Sequence, residues 1–293
     1  MQLNKYSYAV LGGDLRQVYL VKELAAEQKK VCHYALPVSC DLAWGSLKDS
    51  LEDVIENTDT VLGPIPLSRD GVSLNQNGEK EEISLQELLR LLKPGQLFCA
   101  GCIPDSFSKA ASKKGVFLYD YMKDDALAYF NSIATAEGII CEAIKNSHVN
   151  LRRSKCAVLG YGKCGKTLAN YLKGMFCHVT VVMRSERKLA EGAVMMDNAM
   201  DFAAFSKEIG EFDFIFNTIP QVLLTEKLLA GVKSSALILD IASAPGGVDF
   251  EAAKEMGIKA VFAPGLPGKY APHSSAKAIK ESVYKAKKSL ERE

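Results

Sequence analysis

The sequence predicts an α/β protein of two doubly wound parallel-sheet domains, and three observations carry that expectation. Apolar strand-like runs alternate with segments of helical period from end to end. Two of those runs close on a glycine-rich turn, VLGGDLRQ from Val10 and VLGYGKCGKT from Val158. Between the turns lies a long helical stretch, residues 131–148, suited to linking two domains.

The first half starts with the strand YAVLG, a helix over residues 14–28, and the strands VCHYAL and TVLGPIP. The segment GVSLNQNGEKEE, residues 71–82, breaks the rhythm; polar and rich in Gly and Asn, it is expected as an exposed loop or small hairpin. The helix SLQELLRLLKPG closes at Pro94-Gly95 and leads to the strand LFCAG, a helix over 104–114 and the strand VFLYD. Both a flavodoxin-like and a Rossmann-like winding suit this half.

In the linking helix Ile133, Ile140 and Ile144 lie on or near one face, with Asn131 or Ser132 as N-cap. The second half follows with the strand CAVLG, a helix over 163–173, and the strands HVTVVMR, FDFIFNTIP and ALILDIAS. The helix DFEAAKEMG, the strand KAVFAP and a last helix over 274–290 complete it; that last helix is placed to cross back to the first domain. The expected organisation is a substrate or cleft domain over 1–130, a linker helix over 131–150, a nucleotide-binding Rossmann domain over 151–272 and a C-terminal helix over 273–293.

GYGKCG matches G-x-G-x-x-G between a strand and a helix, the context that gives this pattern meaning. Gly160 permits the tight turn, Gly162 lets backbone approach a pyrophosphate, and Gly165 lets helix pack on sheet, with Tyr161, Lys163 and Cys164 filling the turn. The helix N-terminus offers N–H groups to the anion. At the end of the next strand NAD would call for an acid; the chain has MRSERK. Arg184, Ser185 and Arg187, with Lys188, suit a ribose 2′-phosphate, so NADP is favoured over NAD. A solvated charge cluster is the alternative, but cations at a helix start oppose its dipole. Asn217, Thr218, Ile219 and Pro220, and then Asp240 and Ser243, end strands on the cofactor side.

The first turn lacks the third glycine; Arg16 stands there, and Asp14 would repel a pyrophosphate. It reads as a small-molecule loop with Arg16 clamping a carboxylate, or as a plain helix start with Asp14 as cap and Arg16 solvated.

Net charge is +1, from 36 Lys+Arg against 35 Asp+Glu, so nothing draws the chain in bulk to nucleic acid or an anionic membrane. No run nears the roughly 20 apolar residues of a membrane helix, and MQLNKYSYAV has no leader pattern; a cytoplasmic protein is expected. Eight cysteines (Cys32, Cys40, Cys99, Cys102, Cys141, Cys156, Cys164, Cys177) lie mostly in apolar contexts. Cys99 and Cys102 form a C-x-x-C without the second pair a zinc site wants, so no metal is expected and reduced thiols are the plain reading.

GGDLRQ, NSIATAEG, VLGYGKCGKT, FNTIP, LILDIASAPGGVDF and APGLPGKYAP, in that order, resemble the A subunits of bacterial dipicolinate synthases from about Val10 to the last helix. That resemblance implies oxidation of a dihydro or hydroxy-tetrahydro precursor to pyridine-2,6-dicarboxylate in the mother cell of a spore former. It also implies that the partner is a flavoprotein B subunit, with FMN entering only through that partner. The domain order is similar to NAD(P)-dependent 2-hydroxyacid dehydrogenases. Their catalytic Arg is missing, since Ala242, Ser243 and Ala244 occupy its place. Their catalytic His corresponds in position to His273, either a catalytic group or a loop residue. For the dicarboxylate, Arg16 with Asp14, and Asn131, Ser132 and Thr135 at the start of the linker helix, are the expected clamps. Glu137 is either a general base or a structural residue. A dehydrogenase of another small carboxylate, a homo-oligomer and a non-catalytic NADP-binding component all stay open.

Overall fold

The computed structural model describes residues 6–37, 44–77, 81–243 and 245–291; Cys40, Ala244 and residues 78–80 of the polar segment lie outside them. The chain divides into two compact units, Met1–Phe130 with Ala271–Glu293, and Asn131–Tyr270. No helix among the described residues is long and apolar enough to cross a membrane.

The first unit contains β1 (Tyr6–Leu11), α1 (Leu15–Ala26), β2 (Val31–Tyr34), β3 (Ser46–Leu47), α2 (Leu51–Glu56) and β4 (Thr58–Leu62). It continues with α3 (Leu85–Leu91), β5 (Leu97–Ala100), α4 (Asp105–Lys113) and β6 (Phe117–Asp120). All its strand pairs are parallel, in the order β3-β2-β1-β4-β5-β6. That is the Rossmann order. Without the two-residue β3 it would be the flavodoxin order, which is why the sequence supported either winding.

α5 (Asp125–Asn146) carries the chain into the second unit. This corrects the expected start at Asn131: the Asp124 carboxylate takes the N–H groups of Ala126 and Leu127, so the cap stands seven residues earlier. The second unit holds β7 (Lys155–Leu159), α6 (Lys163–Gly174), β8 (His178–Val182), α7 (Glu186–Met195), β9 (Asn198–Met200), α8 (Phe202–Glu208) and β10 (Phe214–Asn217). It ends with α9 (Glu226–Leu229), β11 (Leu237–Asp240), α10 (Phe250–Glu255), β12 (Lys259–Phe262) and α11 (Leu266–Tyr270). Its strands are also all parallel, ordered β12-β11-β10-β7-β8-β9, the Rossmann order again.

Each sheet is apolar on both faces, as a sheet covered by helices must be. In the second unit one face packs Val158, Phe214 and Phe216 against α5, α6 and α11, and the other packs Leu159, Ile215 and Ile238 against Phe205 and Leu229. Gly138 on α5 lets α11 approach, because a Cβ there would lie 2.9 Å from the Tyr270 ring. One turn on, Glu142 accepts the Tyr270 hydroxyl, and Lys269 pairs with the same carboxylate, which these partners hold below its usual range.

The last helix, α12 (Pro272–Leu290), packs on α1 within the first unit. The buried Lys280 ammonium donates to Glu23 at 2.9 Å and to Glu27 at 2.6 Å, while Ile279 and Val283 enter the core beside Leu20 and Leu24.

Candidate functional site

In a doubly wound sheet, ligands lie beyond the carboxyl ends of the strands where the winding reverses. In the second unit that point is between β7 and β10. The turn after β7 has the geometry its glycines imply. Gly160 sits at φ +94°, and a Cβ there would lie 2.5 Å from Thr218 Oγ1. A Cβ on Gly165 would lie 2.1 Å from the Gly160 carbonyl, so helix and turn touch backbone to backbone. Gly162 differs: its Cβ direction meets nothing within 4 Å, and it caps α6 without a side-chain bond. Among the described residues no hydrogen bond takes the N–H of Tyr161 or of Gly162. Open space, unspent donors and the start of a 12-residue helix fit a pyrophosphate. Burial pushes the Tyr161 hydroxyl and the Cys164 thiol up, so both stay neutral beside the turn, and Lys163 opens the helix.

Asn217 and Asp240, at the ends of β10 and β11, are fully buried and bonded to each other at 2.8 Å. Asp240 also accepts from Ala242 N–H at 3.0 Å and Gly247 N–H at 2.6 Å. The Asn217 amide donates to Ile219 O at 2.9 Å, and Thr218 Oγ1 donates back to Leu159 O at 2.9 Å. The side chains of Asn217, Thr218 and Asp240 are thus bonded within the protein and shape the rim. The exposed Pro220 and Ser243, and the partly exposed Ile219, stand on that shaped backbone. Gly247 makes the lock possible, since a Cβ there would lie 2.1 Å from the Asn217 amide.

Arg184 lies two residues beyond β8, exposed, with its guanidinium 5.6 Å from the centre of the Phe202 ring. Ser185 is the cap residue of α7 with no side-chain cap bond, and Arg187 lies in the first turn. Neither arginine meets a carboxylate among the described residues. Phe202, beside the Arg184 guanidinium, was not singled out from sequence; its signal was an aromatic opening the helix after β9.

The corresponding turn of the first unit is filled by its own chain. Gly12 N–H donates to Tyr34 O at 3.1 Å, Gly13 N–H to Asn75 O at 2.8 Å and Asp14 N–H to Gln17 Oε1 at 3.2 Å. The segment expected as an exposed excursion folds over the turn instead, with Leu74 and Asn75 buried and Gln76 bridged to Gly13. Asp14 caps α1 through Arg16 N–H at 3.0 Å. Arg16 is buried rather than solvated, forked onto Asp14 at 2.9 and 2.8 Å and bonded to Ile65 O at 2.7 Å. Its Nη1 makes no hydrogen bond among the described residues.

The residues expected at the linker-helix start lie inside α5, so their N–H groups are used by the helix itself. Ser132 Oγ is 2.7 Å from Thr167 Oγ1, and Thr135 Oγ1 donates to Asn131 O at 2.9 Å. The buried Asn131 Oδ1 has no partner among the described residues. Glu137 is exposed and accepts from Tyr171 at 3.3 Å, a bond across to α6. His273 lies in α12 rather than a loop, stacked on Tyr19 at 5.0 Å and 2.8 Å from Glu23 Oε1. Of the C-x-x-C pair, Cys99 is buried with its thiol pushed up, and Cys102 turns into the left-handed region at φ +52°.

Two family models match successive parts of the chain. Residues 7–122 match the family model of the N-terminal domain of the dipicolinate synthase A subunit, and residues 130–252 that of the D-isomer specific 2-hydroxyacid dehydrogenase, NAD binding domain. The dipicolinate synthase A subunit of Bacillus subtilis is 29% identical over 92% of both chains. The crystal structure of dipicolinate synthase, A chain, from Bacillus subtilis superposes with TM-score 0.84 at 27% identity, covering 99% of this chain and 98% of that one. The structure of the Bacillus halodurans dipicolinate synthase A subunit gives 0.84 at 26%, covering 97% and 98%. A Sinorhizobium meliloti transhydrogenase shares the fold at TM-score 0.67 and 17% identity, covering 95% and 93%. The chain is thus an NAD(P)-dependent oxidoreductase that binds a nicotinamide cofactor and is similar along its length to the A subunits of dipicolinate synthases.

Proposed function

We propose that this chain is the NADP-linked subunit of a dipicolinate synthase, oxidising a dihydro- or hydroxy-tetrahydrodipicolinate to pyridine-2,6-dicarboxylate beside a flavin-binding companion subunit. The observation that carries the cofactor half is the open turn at Gly160–Gly162 together with the cluster of Arg184, Ser185 and Arg187 one strand away. A 2′-phosphate between two guanidiniums gains charge-assisted bonds that a bare ribose hydroxyl does not. A bound nicotinamide would supply the hydride acceptor, and the hydroxy-tetrahydro form would in addition lose water.

The chain's own residues orient and exclude. Backbone N–H groups of Tyr161 and Gly162 hold the pyrophosphate, and the Asn217–Asp240 lock keeps the rim from sagging into the cofactor's place. Arg16, held flat by Asp14 and Ile65 O, has Nη1 left for a ring carboxylate. Glu137 accepts from Tyr171 and His273 pairs with Glu23.

The test mixes the chain with NADP⁺ and the precursor, with and without the companion subunit, and follows dipicolinate by its ultraviolet absorbance. Formation dependent on NADP⁺ and on this chain supports the reading. Turnover of a different small carboxylate, with none of the precursor, would replace it.

A further inference from the structure

The end of the second sheet opposite the glycine turn holds a feature that nucleotide binding does not use. α6 closes in a Schellman motif: Phe176 N–H donates to Lys173 O at 2.9 Å and Cys177 N–H to Leu172 O at 3.1 Å. The residue past the cap then turns left-handed, a place glycine fills without steric conflict. Here it is Phe176, at φ +61° and 71% exposed. Such a backbone is unfavourable for a bulky residue, and an exposed ring recovers nothing by burial. Facing it, Arg153 is left-handed too, at φ +67°, with its N–H on Phe176 O at 2.8 Å. The Arg152 guanidinium lies 5.8 Å from the Phe176 ring centre. Neither arginine meets a carboxylate among the described residues. Lys173 reaches Met195 O at 2.7 Å and brings the exposed Met195 beside the rim, and Val149 is exposed just before the arginines.

We propose that this rim, centred on Phe176 and Arg152, is the seat of the companion subunit, which presents an acidic segment with an apolar tip to it. The inference rests on the partner reading above. The occupant's chemistry follows from the seat: two uncompensated guanidiniums select carboxylates, and an exposed aromatic beside arginine is the composition of interface hot spots. β7 and β8 begin at this rim and end at the nucleotide turn, roughly 15 Å away for five-residue strands. Docking and nucleotide binding are therefore separable.

The experiment uses the full chain, its Phe176→Gly and Arg152→Glu variants, and the companion flavin-binding subunit, titrated calorimetrically. NADPH titration, thermal melting and sedimentation of each chain alone run alongside. Phe176→Gly should weaken the companion complex about 30-fold, and Arg152→Glu should weaken it at least as much, most clearly at low salt. Both should keep wild-type NADPH affinity, and Phe176→Gly should melt no lower than wild type because glycine relieves the left-handed backbone. A companion complex that tolerates both variants overturns the docking surface and leaves the partner reading standing. No complex with the wild-type chain overturns both. A lower melting temperature with unchanged companion affinity assigns Phe176 to the fold and overturns the proposal. A self-dimer dispersed by Phe176→Gly makes a second copy the occupant and likewise overturns it.

Discussion

The first unit places Gly12 and Gly13 after β1, and the second places Gly160 and Gly162 after β7. Each of those strands is the one from which its sheet winds outward in both directions. The difference lies in what takes the backbone N–H groups. Gly12 and Gly160 alike give their N–H to the neighbouring strand, at Tyr34 O and Val182 O, but in the first unit Asn75 and Gln17 also take those of Gly13 and Asp14. Among the described residues no group takes those of Tyr161 and Gly162. A glycine-rich turn at a winding point is thus a shape; it becomes an anion site only where the chain leaves its donors unspent.

The sharpest way to break the comparison is Gly165→Ala. Its Cβ would fall 2.1 Å from the Gly160 carbonyl, so turn and helix must part. Loss of measurable nucleotide binding is expected, with a stability loss of about 1–3 kcal/mol by chemical denaturation. Arg184→Ala leaves the fold alone and should cost about 1.5–3 kcal/mol of NADPH affinity with NADH affinity unchanged; competition binding of the two cofactors reads this out. Asp240→Asn keeps one oxygen for Asn217 and Ala242 but turns an amide donor on the Gly247 N–H in a fully buried lock, and should lower the stability of the second unit by about 1–3 kcal/mol. Arg16→Lys removes the fork on Asp14 and should lower the stability of the first unit by about 1 kcal/mol. Because that turn holds no nucleotide in this account, NADPH affinity should not move.

Most of the fold was legible because long periodic segments decide their own type. The strands TVLG and ALILD and the helix after Gly162 lie where period and turn residues put them. The short elements were not: β3 has two residues and β9 three, too few for a period to show. The start of α5 was missed because Asn131 is as good a cap type as Asp124; tertiary bonds from Tyr119 and Ser282 to Asp124 favour the earlier one. At the site, glycine spacing marks the turn because each missing Cβ answers a contact. The filling of the first turn was not legible, since a polar segment more than sixty residues downstream supplies it. For the same reason the burial of Arg16 was not legible: its bonds to Asp14 and Ile65 O enclose it, while its Nη1 makes no hydrogen bond among the described residues.

The central claim, that one turn binds and the other cannot, is tested most directly by calorimetric titration of NADPH into the wild-type chain and into Gly162→Ala. Nothing lies within 4 Å of the new methyl, so the variant should fold and melt as wild type does. The methyl stands where the pyrophosphate must approach, so the single site per chain expected of the wild type should disappear. Two nucleotides bound per wild-type chain, or an unchanged affinity in Gly162→Ala, would contradict the account.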